Sequence, residues 1–482
     1  MSETVVDFPR NFKKALGDGQ LRRNLRAAMD TLGQRRRTLF SDLEAFEQLR
    51  ERGDAIRGRA LRQLPELLEQ LERKCTENGI QVHWAETPTE ANHICLDIIQ
   101  RHNATRVIKG KSMVSEEMHL NHFLDERGIE ALETDLGEYI IQLDHETPSH
   151  IIVPAIHKNR DQIAQLFHEK IPDTPYTEVV EELNAIARQV LREKFLAGEV
   201  GVSGVNFAVA ETGTLCLVEN EGNGRMCTTA PPVHIAVMGL EKVVERLEDV
   251  PPLLRLLTGS ATGQLITTYF NMITSPRKPD EKDGPREVHL ILLDNGRSRI
   301  WADPELRETL KCIRCGTCMN HCPVYTRLGG HAYGYVYPGP IGSILTPQLE
   351  GLDHAGAMAT ASTFCGACQE VCPVKIPIVD ILRRLRAESY NSASSADTPD
   401  AVKGHGYKAN AMESLSWKGW ALSNATPWIN ALNAKLLGVF GPQLSKLPAP
   451  GIVKKWTQAR ALPPFAPKSL HVLAKERGIA DE

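Results

Sequence analysis

The sequence lacks any apolar run long enough to cross a bilayer, and no apolar segment typical of a secretory signal stands near its start. A membrane-spanning helix needs about 20 predominantly apolar residues, and a secretory signal needs an apolar stretch behind a charged start. We therefore expect neither a membrane-spanning nor a secreted protein, but a cytoplasmic protein with no transmembrane segment.

Neither sign of charge is in large excess. The 56 Lys and Arg residues and the 60 Asp and Glu residues leave a net charge of −4. This balance excludes a nucleic-acid binder whose affinity depends on a large positive charge. With 42% hydrophobic and 24% charged residues, the chain is not mainly disordered. Its 482 residues allow about three domains.

Several catalytic fingerprints are also missing. No G-x-G-x-x-G follows a strand pattern, no G-x-S-x-G occurs, and neither a Walker A nor a zincin motif is present. Nicotinamide binding and serine-hydrolase chemistry therefore have no support in the sequence.

Cysteine, by contrast, is plentiful. Seven of the eleven cysteines fall between residues 312 and 372. In a reducing cytoplasm such a concentration is not a disulfide framework, so these thiols require another explanation.

The first cysteine motif has the spacing of a bacterial iron–sulfur run. Its sequence, C-x2-C-x2-C-x3-C-P, comprises Cys312, Cys315, Cys318 and Cys322. Three thiolates at this spacing can hold one face of a cubane cluster, and in two-cluster proteins the fourth ligates the other cluster. The alternative is a zinc site built from two C-x2-C pairs, which explains neither the third evenly spaced cysteine nor the C-P ending.

The second motif repeats the ending of the first but lacks its first cysteine. Ser362 stands where that cysteine would be. Exchange of the fourth ligands between the motifs gives cluster 1 the thiolates of Cys312, Cys315, Cys318 and Cys372, and cluster 2 those of Cys322, Cys365 and Cys368. We expect two clusters of the [4Fe-4S] type.

Seven cysteines cannot supply the eight thiolates of two fully cysteine-ligated clusters. Cluster 2 therefore has a non-cysteine ligand, a ligand from a distant residue or a partner, an open iron corner or only three irons. Among the other cysteines only Cys227 is a candidate eighth ligand, and a buried, inert thiol is the alternative. The aromatics of Gly329–Gly342, predicted to form a loop, either shield a cluster or belong to a self-packed loop.

The rest of the chain before the cysteines shows two patterns. Leucines at i, i+4 spacing predict N-terminal helices with breaks at Gly33, Gly53 and Gly58, and we expect their arginines to be solvated. Short apolar strands then alternate with amphipathic helices, which indicates an α/β domain with a mainly parallel sheet. The predicted buried strands are Arg106–Ile108, His150–Val153 and Val288–Leu293.

Two polar motifs of the α/β segment are candidate ligand sites. Lys109–Glu117, between a predicted strand and a helix, indicates either an anion site or only a helix cap. Glycine-rich turns around Glu211 and Arg225 indicate a pocket for a polar ligand, with Arg225 suited to binding a carboxylate. These two residues are the catalytic candidates. The alternative is that the same stretches only form turns, with His234 a satisfied core histidine.

Together these motifs resemble the lactate-utilisation protein B family. The resemblance runs from about residue 50 to the C-terminus and joins the cysteine module to motifs at Lys111–Glu117, Glu133–Glu138, Pro148–His150, Pro154–His157, Glu211–Gly213, Asn220–Asn223 and Gly239–Lys242. In this family a serine also stands where Ser362 does, so the missing cysteine does not weaken the resemblance.

The resemblance implies an α/β domain similar to phosphosugar isomerases and coenzyme A transferases, followed by a helical ferredoxin-like module. It implies an electron-transferring subunit of an NAD-independent complex that oxidises L-lactate to pyruvate. Two partners are implied: a cysteine-rich subunit with heterodisulfide-reductase-like repeats, and a smaller subunit with only the α/β domain. The alternatives are a self-sufficient iron–sulfur hydroxy-acid dehydrogenase and an iron–sulfur redox sensor or scaffold.

The expected organisation is a helical N-terminal region (1–77), an α/β domain (78–300), a two-cluster iron–sulfur module (301–390), a linker (391–400) and a partner-docking tail (401–482). The tail carries Trp417, Trp420, Trp428 and Trp456. Because large aromatics are costly to leave in water and enriched at interfaces, we expect the tail to dock on a partner subunit. Docking on the α/β domain of the same chain is the alternative.

Overall fold

A parallel sheet organises the protein, of which the computed structural model describes residues 8–390, 411–444, 466 and 468–478. The strands are β1 (Gln81–Ala85), β2 (Arg106–Lys109), β3 (Glu130–Glu133), β4 (Val200–Gly204), β5 (Phe207–Val209), β6 (Thr214–Glu219), β7 (Val233–Gly239), β8 (Val243–Val244), β9 (Tyr269–Ile273) and β10 (Glu287–Leu293). The larger sheet has the order β1-β10-β7-β4-β2-β3, with every pair parallel. The smaller, mixed sheet has the order β8-β5-β6-β9.

The predicted fold class, a mainly parallel α/β domain followed by a helical iron–sulfur module, is confirmed. Strands β7 and β10 at the middle of the larger sheet read as almost continuous apolar runs, because both faces of a parallel sheet are covered. The predicted strands at Arg106–Ile108 and Val288–Leu293 are β2 and β10.

Helices surround the sheets and form the cysteine module. Before the first cysteine they are α1 (Phe8–Gly17), α2 (Gly19–Leu39), α3 (Leu43–Arg62), α4 (Leu64–Glu77), α5 (Pro88–Arg101), α6 (Met113–Glu117), α7 (Leu120–Asp125), α8 (Leu136–Leu143), α9 (Arg160–Lys170), α10 (Val180–Ala197), α11 (Asn223–Thr229), α12 (Val250–Thr262) and α13 (Arg297–Ala302). The module adds α14 (Thr317–Asn320), α15 (Tyr325–Leu328), α16 (Gly339–Glu350), α17 (Leu352–Ala355), α18 (Ala367–Glu370) and α19 (Ile378–Tyr390). Short 3-10 helices cover Leu240–Lys242, Leu247–Asp249, Leu306–Lys311, His331–Tyr333 and Gly356–Thr360.

The strand predicted at His150–Val153 is wrong. The backbone N–H groups of Ile152 and Val153 donate to the His150 Nδ1, at 3.0 and 3.1 Å. The histidine side chain thus folds the backbone into a bend and takes the donors that a strand ladder would use.

The predicted helix breaks at Gly33, Gly53 and Gly58 are also wrong, since all three lie inside α2 or α3. A Cβ on Gly53 would lie 2.3 Å from Leu256 Cδ1 of α12. Close approach between two helices, rather than backbone flexibility, therefore explains this glycine.

Several N-terminal arginines are buried and tie the segments together, contrary to the expected solvated faces. Arg57 donates to the carbonyl oxygens of Val243 and Leu310, both at 3.0 Å, and is 2% exposed. Arg36 donates to the Val371 carbonyl oxygen, and Arg50 donates to that of Cys372. One hydrophobic core runs through α2–α4, the smaller sheet and the cysteine module. The module is therefore anchored firmly against the α/β domain.

The tail forms a second unit, with helices α20 (Ala411–Asn424), α21 (Pro427–Leu444) and α22 (Leu470–Glu476). Trp417, Trp420 and Trp428 are 60–69% exposed. The predicted linker 391–400 and Trp456 lie outside the described residues. The predicted domain boundaries stay predictions. Within the described ranges, no helix has the length and hydrophobicity needed to span a membrane.

Candidate functional site

The first motif folds as a tight loop leading into α14. Arg314 and Gly316 both adopt left-handed backbone angles, with φ of 62° and 73°. The turn brings the Arg314 N–H to 3.4 Å from Cys312 Sγ. Cys312, Cys315 and Cys318 line one small cavity, and the fourth cysteine on its wall is Cys372, from the second motif.

Burial, followed by repulsion between neighbouring cysteines, raises the pKa of three of these thiols, those of Cys315, Cys318 and Cys372. Burial above all, and then the Cys312 charge, raise the pKa of Cys372, to about 11. Burial, and after it the neighbouring cysteines, raise the pKa of Cys318 well above its usual range. Such a set binds protons unless a positive centre replaces them, and a coordinated thiol is deprotonated by its metal. The donor set therefore fits a buried iron–sulfur cluster.

The other three cysteines form a second group. Burial, followed by the charges of Cys322 and Cys365, raises the pKa of Cys368 to about 12. Cys322 and Cys368 are buried, whereas Cys365 is exposed. The structure thus brings together each set of cysteines that the exchanged-ligand pattern predicts, and it leaves the second set near the surface.

Neither Ser362 nor Cys227 supplies a fourth thiolate to this second group. Ser362 is half-buried, and its hydroxyl accepts from the Phe364 N–H at 3.1 Å. Cys227 lies in α11 with its sulfur 3.3 Å from Thr134 Oγ1. Its charged neighbours are Glu133, Glu219 and Lys109 of the α/β domain, so the structure does not bring Cys227 to the module.

Aromatic side chains of the segment between the motifs pack beside the second group. Tyr333 is fully buried, and Cys322 is among the neighbours that raise its pKa, after burial. Within Gly329–Gly342, the Tyr337 hydroxyl donates to Glu117 of α6 at 2.7 Å, and His331 Nε2 lies 2.6 Å from the Thr147 carbonyl oxygen. The segment is therefore not a loop packed on itself, and part of the predicted loop, from Gly339, is helix α16 with a proline in its first turn.

A buried charge network joins the α/β domain to the first motif. Arg297 donates to both oxygens of Glu117 at 2.8 Å and to Glu241 at 2.6 Å. Arg314 donates to the other Glu241 oxygen at 3.0 Å, and the Tyr337 hydroxyl donates to Glu117 at 2.7 Å. Burial alone would raise the pKa of Glu241, but Arg297 and Arg314 lower it to about 2.

A cavity of about 270 Å³ lies beside this network. It is lined by residues at the end of β4, in β6, at the start of α6 and in α12, together with Lys242, Arg314 and Tyr337. Arg314 contributes to its wall and also to the wall of the four-cysteine cavity. The two cavities are therefore neighbours that share one side chain.

Different residues of the Lys109–Glu117 motif fit the two predicted roles, a helix cap and an anion site. Ser112 caps α6 by accepting from the Ser115 N–H. Lys109 is buried and bonded to Glu116 and Glu133 at 2.9 and 2.6 Å, so it is not available to an external anion. Lys111 does line the cavity, with its ammonium 2.8 Å from the Ile152 carbonyl oxygen.

Comparison with known proteins agrees with these features. Models of the LUD domain, of a 4Fe-4S dicluster domain and of the C-terminal region of lactate utilisation protein B match residues 68–293, 308–376 and 384–479. Lactate utilization protein B of Bacillus licheniformis is 40% identical over 94% of this chain and 94% of its own length. That of Bacillus subtilis is 40% identical over 95% and 93%.

This chain belongs to the lactate utilisation protein B family. The uncharacterized electron transport protein YkgF of Escherichia coli is 42% identical over 95% of this chain and 94% of its own. A DUF162 family protein of known structure from Deinococcus radiodurans, 15% identical, covers 48% of this chain and 98% of that one with a TM-score of 0.27, a likeness too weak to bear on the fold. The dicluster match and the two cysteine groups mark the chain as an iron–sulfur protein.

In this chain, the catalytic candidates Glu211 and Arg225 lie outside the cavity and at opposite ends of β6. Glu211, in the turn before β6, accepts from the Leu247 N–H at 3.1 Å. Arg225 stacks over Tyr269, with 4.4 Å between the guanidinium carbon and the ring centroid. The structure does not bring them together, and their role stays a prediction.

The sequence did not predict that Arg314 lines the cavity, nor that two arginines donate hydrogen bonds to the second cysteine motif. Arg50 donates to the Cys372 carbonyl at 3.1 Å, and Arg36 donates to that of Val371 at 3.2 Å. The one sequence feature that marks Arg36 and Arg50 is that each lies on a helix face whose other residues are mostly apolar. His321 lies within the first motif, with its Nδ1 3.0 Å from the Thr317 carbonyl oxygen.

Proposed function

We propose that this protein is the iron–sulfur electron-transfer subunit of a complex that oxidises L-lactate to pyruvate. The observation that carries the proposal is the pair of cysteine groups, each drawing thiols from both motifs. Family membership supports the role in lactate utilisation. Clusters of this kind accept and release single electrons, which is the chemistry that a two-electron oxidation needs from a relay.

In the proposed arrangement, cluster 1 is held by Cys312, Cys315, Cys318 and Cys372, and cluster 2 by Cys322, Cys365 and Cys368. Backbone N–H groups point at three of these sulfurs: those of Arg314, Tyr325 and Ile376 reach Cys312, Cys322 and Cys372 at 3.4–3.5 Å. Such hydrogen bonds raise the reduction potential of a cluster. The exposed Cys365 places the second group where a partner can exchange electrons with it.

We expect the isolated, cluster-loaded chain to show two reversible electron paramagnetic resonance signals, and L-lactate to reduce neither. Reduction by L-lactate requires the partner subunits in this proposal. An anaerobic redox titration, followed by L-lactate addition with and without the co-purified partners, measures both points. Reduction of the isolated chain would favour a self-sufficient dehydrogenase, and clusters that decompose on reduction would favour a sensor.

The partners in this proposal are the cysteine-rich heterodisulfide-reductase-like subunit and the smaller subunit that carries only the α/β domain. The tail is the proposed docking element, because Trp417, Trp420 and Trp428 expose 60–69% of their surface. Aromatic anchors of that kind supply most of the binding free energy at many interfaces.

Replacing Trp417 and Trp428 by alanine should therefore weaken partner binding by about 2 kcal/mol or more, while the clusters stay intact. Co-purification yield at matched expression measures the effect. Trp84→Ala is the control, since Trp84 is 43% exposed but belongs to β1. If both tail variants co-purify with the partners at full yield, the tail is not the docking element. If the variants become insoluble, the tail packs within its own chain.

A further inference from the structure

Two buried basic side chains on the wall of the 270 Å³ cavity have unused hydrogen-bonding capacity. Arg314 is 7% exposed, and its Nη1 is buried without a hydrogen-bond partner while Nη2 bonds to Glu241. Lys242, also 7% exposed, has no acceptor for its ammonium among residues 8–390. The Arg314 Nη1 is a buried donor left unpaired, which is costly, and Lys242 leaves its amine without an acceptor on the cavity wall. Both groups indicate an anionic ligand.

Other lining groups limit what this anion can be. Asp135 and Glu221 line the same cavity and disfavour a ligand of high negative charge. They also offer acceptors for a ligand hydroxyl. Ser203 adds a hydroxyl that is fixed by a 2.8 Å hydrogen bond to His234 Nε2. The cavity is smaller than most drug-sized sites, which enclose about 300–1,000 Å³.

We propose that this cavity binds a small 2-hydroxy or 2-oxo monocarboxylate, with its carboxylate held by Lys242 and the Arg314 guanidinium. The proposal rests on the proposed function, and it identifies where in this chain the acid binds. Arg314 lies between Cys312 and Cys315 in the first motif. A ligand held by this arginine therefore lies on the side of the cavity that borders the four cysteines.

The test is calorimetric titration of the anaerobic, cluster-loaded chain with pyruvate and with L-lactate. Lys242→Met and Arg314→Lys should each weaken pyruvate binding about 10- to 100-fold, because each removes a hydrogen bond between charged groups. Arg314→Lys keeps a charge near Glu241 but loses the Nη1 donor. Lys282→Met, in the exposed loop before β10, is the matched control and should leave the affinity unchanged.

A second measurement needs no substitution, so it holds even where a variant fails to fold. Pyruvamide has the shape of pyruvate without its charge, and it should bind the unsubstituted protein at least about 10-fold more weakly. Equal binding of the two would overturn the proposal. So would unchanged affinity in both cavity variants, an equal loss on Arg225→Gln, or inorganic phosphate displacing pyruvate more effectively than L-lactate does.

Failure of this inference and failure of the proposed function give different results. Pyruvate binding that depends on Lys242, in a protein whose clusters are never reduced in the assembled complex, would contradict the electron relay alone. Clusters that L-lactate reduces in the complex, with no binding of pyruvate or L-lactate to the isolated chain, would contradict this site alone.

Discussion

Replacing Arg297 by methionine should lower the free energy of unfolding by about 3–5 kcal/mol. The side chain is fully buried and holds two buried carboxylates, those of Glu117 and Glu241. Methionine fills much of the volume but leaves both carboxylates without their main counter-charge. Breaking a buried ion pair from one side is costly because the remaining charge keeps its desolvation penalty. Denaturant unfolding of the cluster-loaded chain measures the loss.

The pH dependence gives this prediction a second readout. In the unsubstituted protein the pKa of Glu241 falls from 4.5 to about 2, so its contribution is fully present above pH 4.5 and is lost as the pH falls towards 2. Without Arg297, burial would raise the pKa of Glu117 and of Glu241. Protonation would then remove the cost of keeping these charges buried without a partner. The deficit of the variant should therefore shrink as the pH is lowered towards 5.

Arg299→Met is the matched control for Arg297→Met. Arg299 lies two residues further along α13 and is exposed, so its replacement should change the stability by no more than about 0.5 kcal/mol. Equal losses in the two variants would show that the network does not hold the cysteine module on the α/β domain.

Cys372→Ser should remove the same cluster as Cys312→Ser, although the two residues are 60 positions apart and belong to different motifs. Cys322→Ser should likewise give the same result as Cys365→Ser. Each substitution should remove about half of the iron and one electron paramagnetic resonance signal, because each proposed cluster depends on ligands from both motifs. Iron and sulfide analysis with spectra of the reduced variants measures this.

Cys95→Ser is the control for the cysteine series, because Cys95 is a buried thiol of α5 outside the module. It should keep both signals and the full iron content. If Cys372→Ser shares its missing signal with Cys365→Ser instead, each motif ligates its own cluster and the exchanged ligation is wrong.

The local features that the sequence predicted are those whose physical cause is local. Ser112 caps α6 by accepting from the Ser115 N–H, as one of the two interpretations of Lys109–Glu117 predicted. The apolar run from Val288 predicted β10 because a strand that is buried on both faces has apolar residues at nearly every position. The spacing of Cys312, Cys315 and Cys318 alone indicated iron–sulfur chemistry.

The features that were missed depend on contacts between distant segments. Arg50 reaches the Cys372 carbonyl across 322 positions of the chain, and no local pattern marks such a contact. Lys242 and Arg314 meet only when the α/β domain and the first cysteine motif pack together. Glycine-rich turns drew attention to Glu211 and Arg225 instead, because turn composition is visible in a sequence whereas an unpaired buried cation is not.

The most direct test of the electron-relay account is freeze-quench electron paramagnetic resonance of the assembled complex after anaerobic mixing with L-lactate. The account predicts that both cluster signals of this subunit appear at least as fast as pyruvate forms. It also predicts that Cys312→Ser, in a complex of unchanged composition, stops pyruvate formation under turnover. Pyruvate formed at the full rate while the clusters stay oxidised, or with cluster 1 absent, would contradict it.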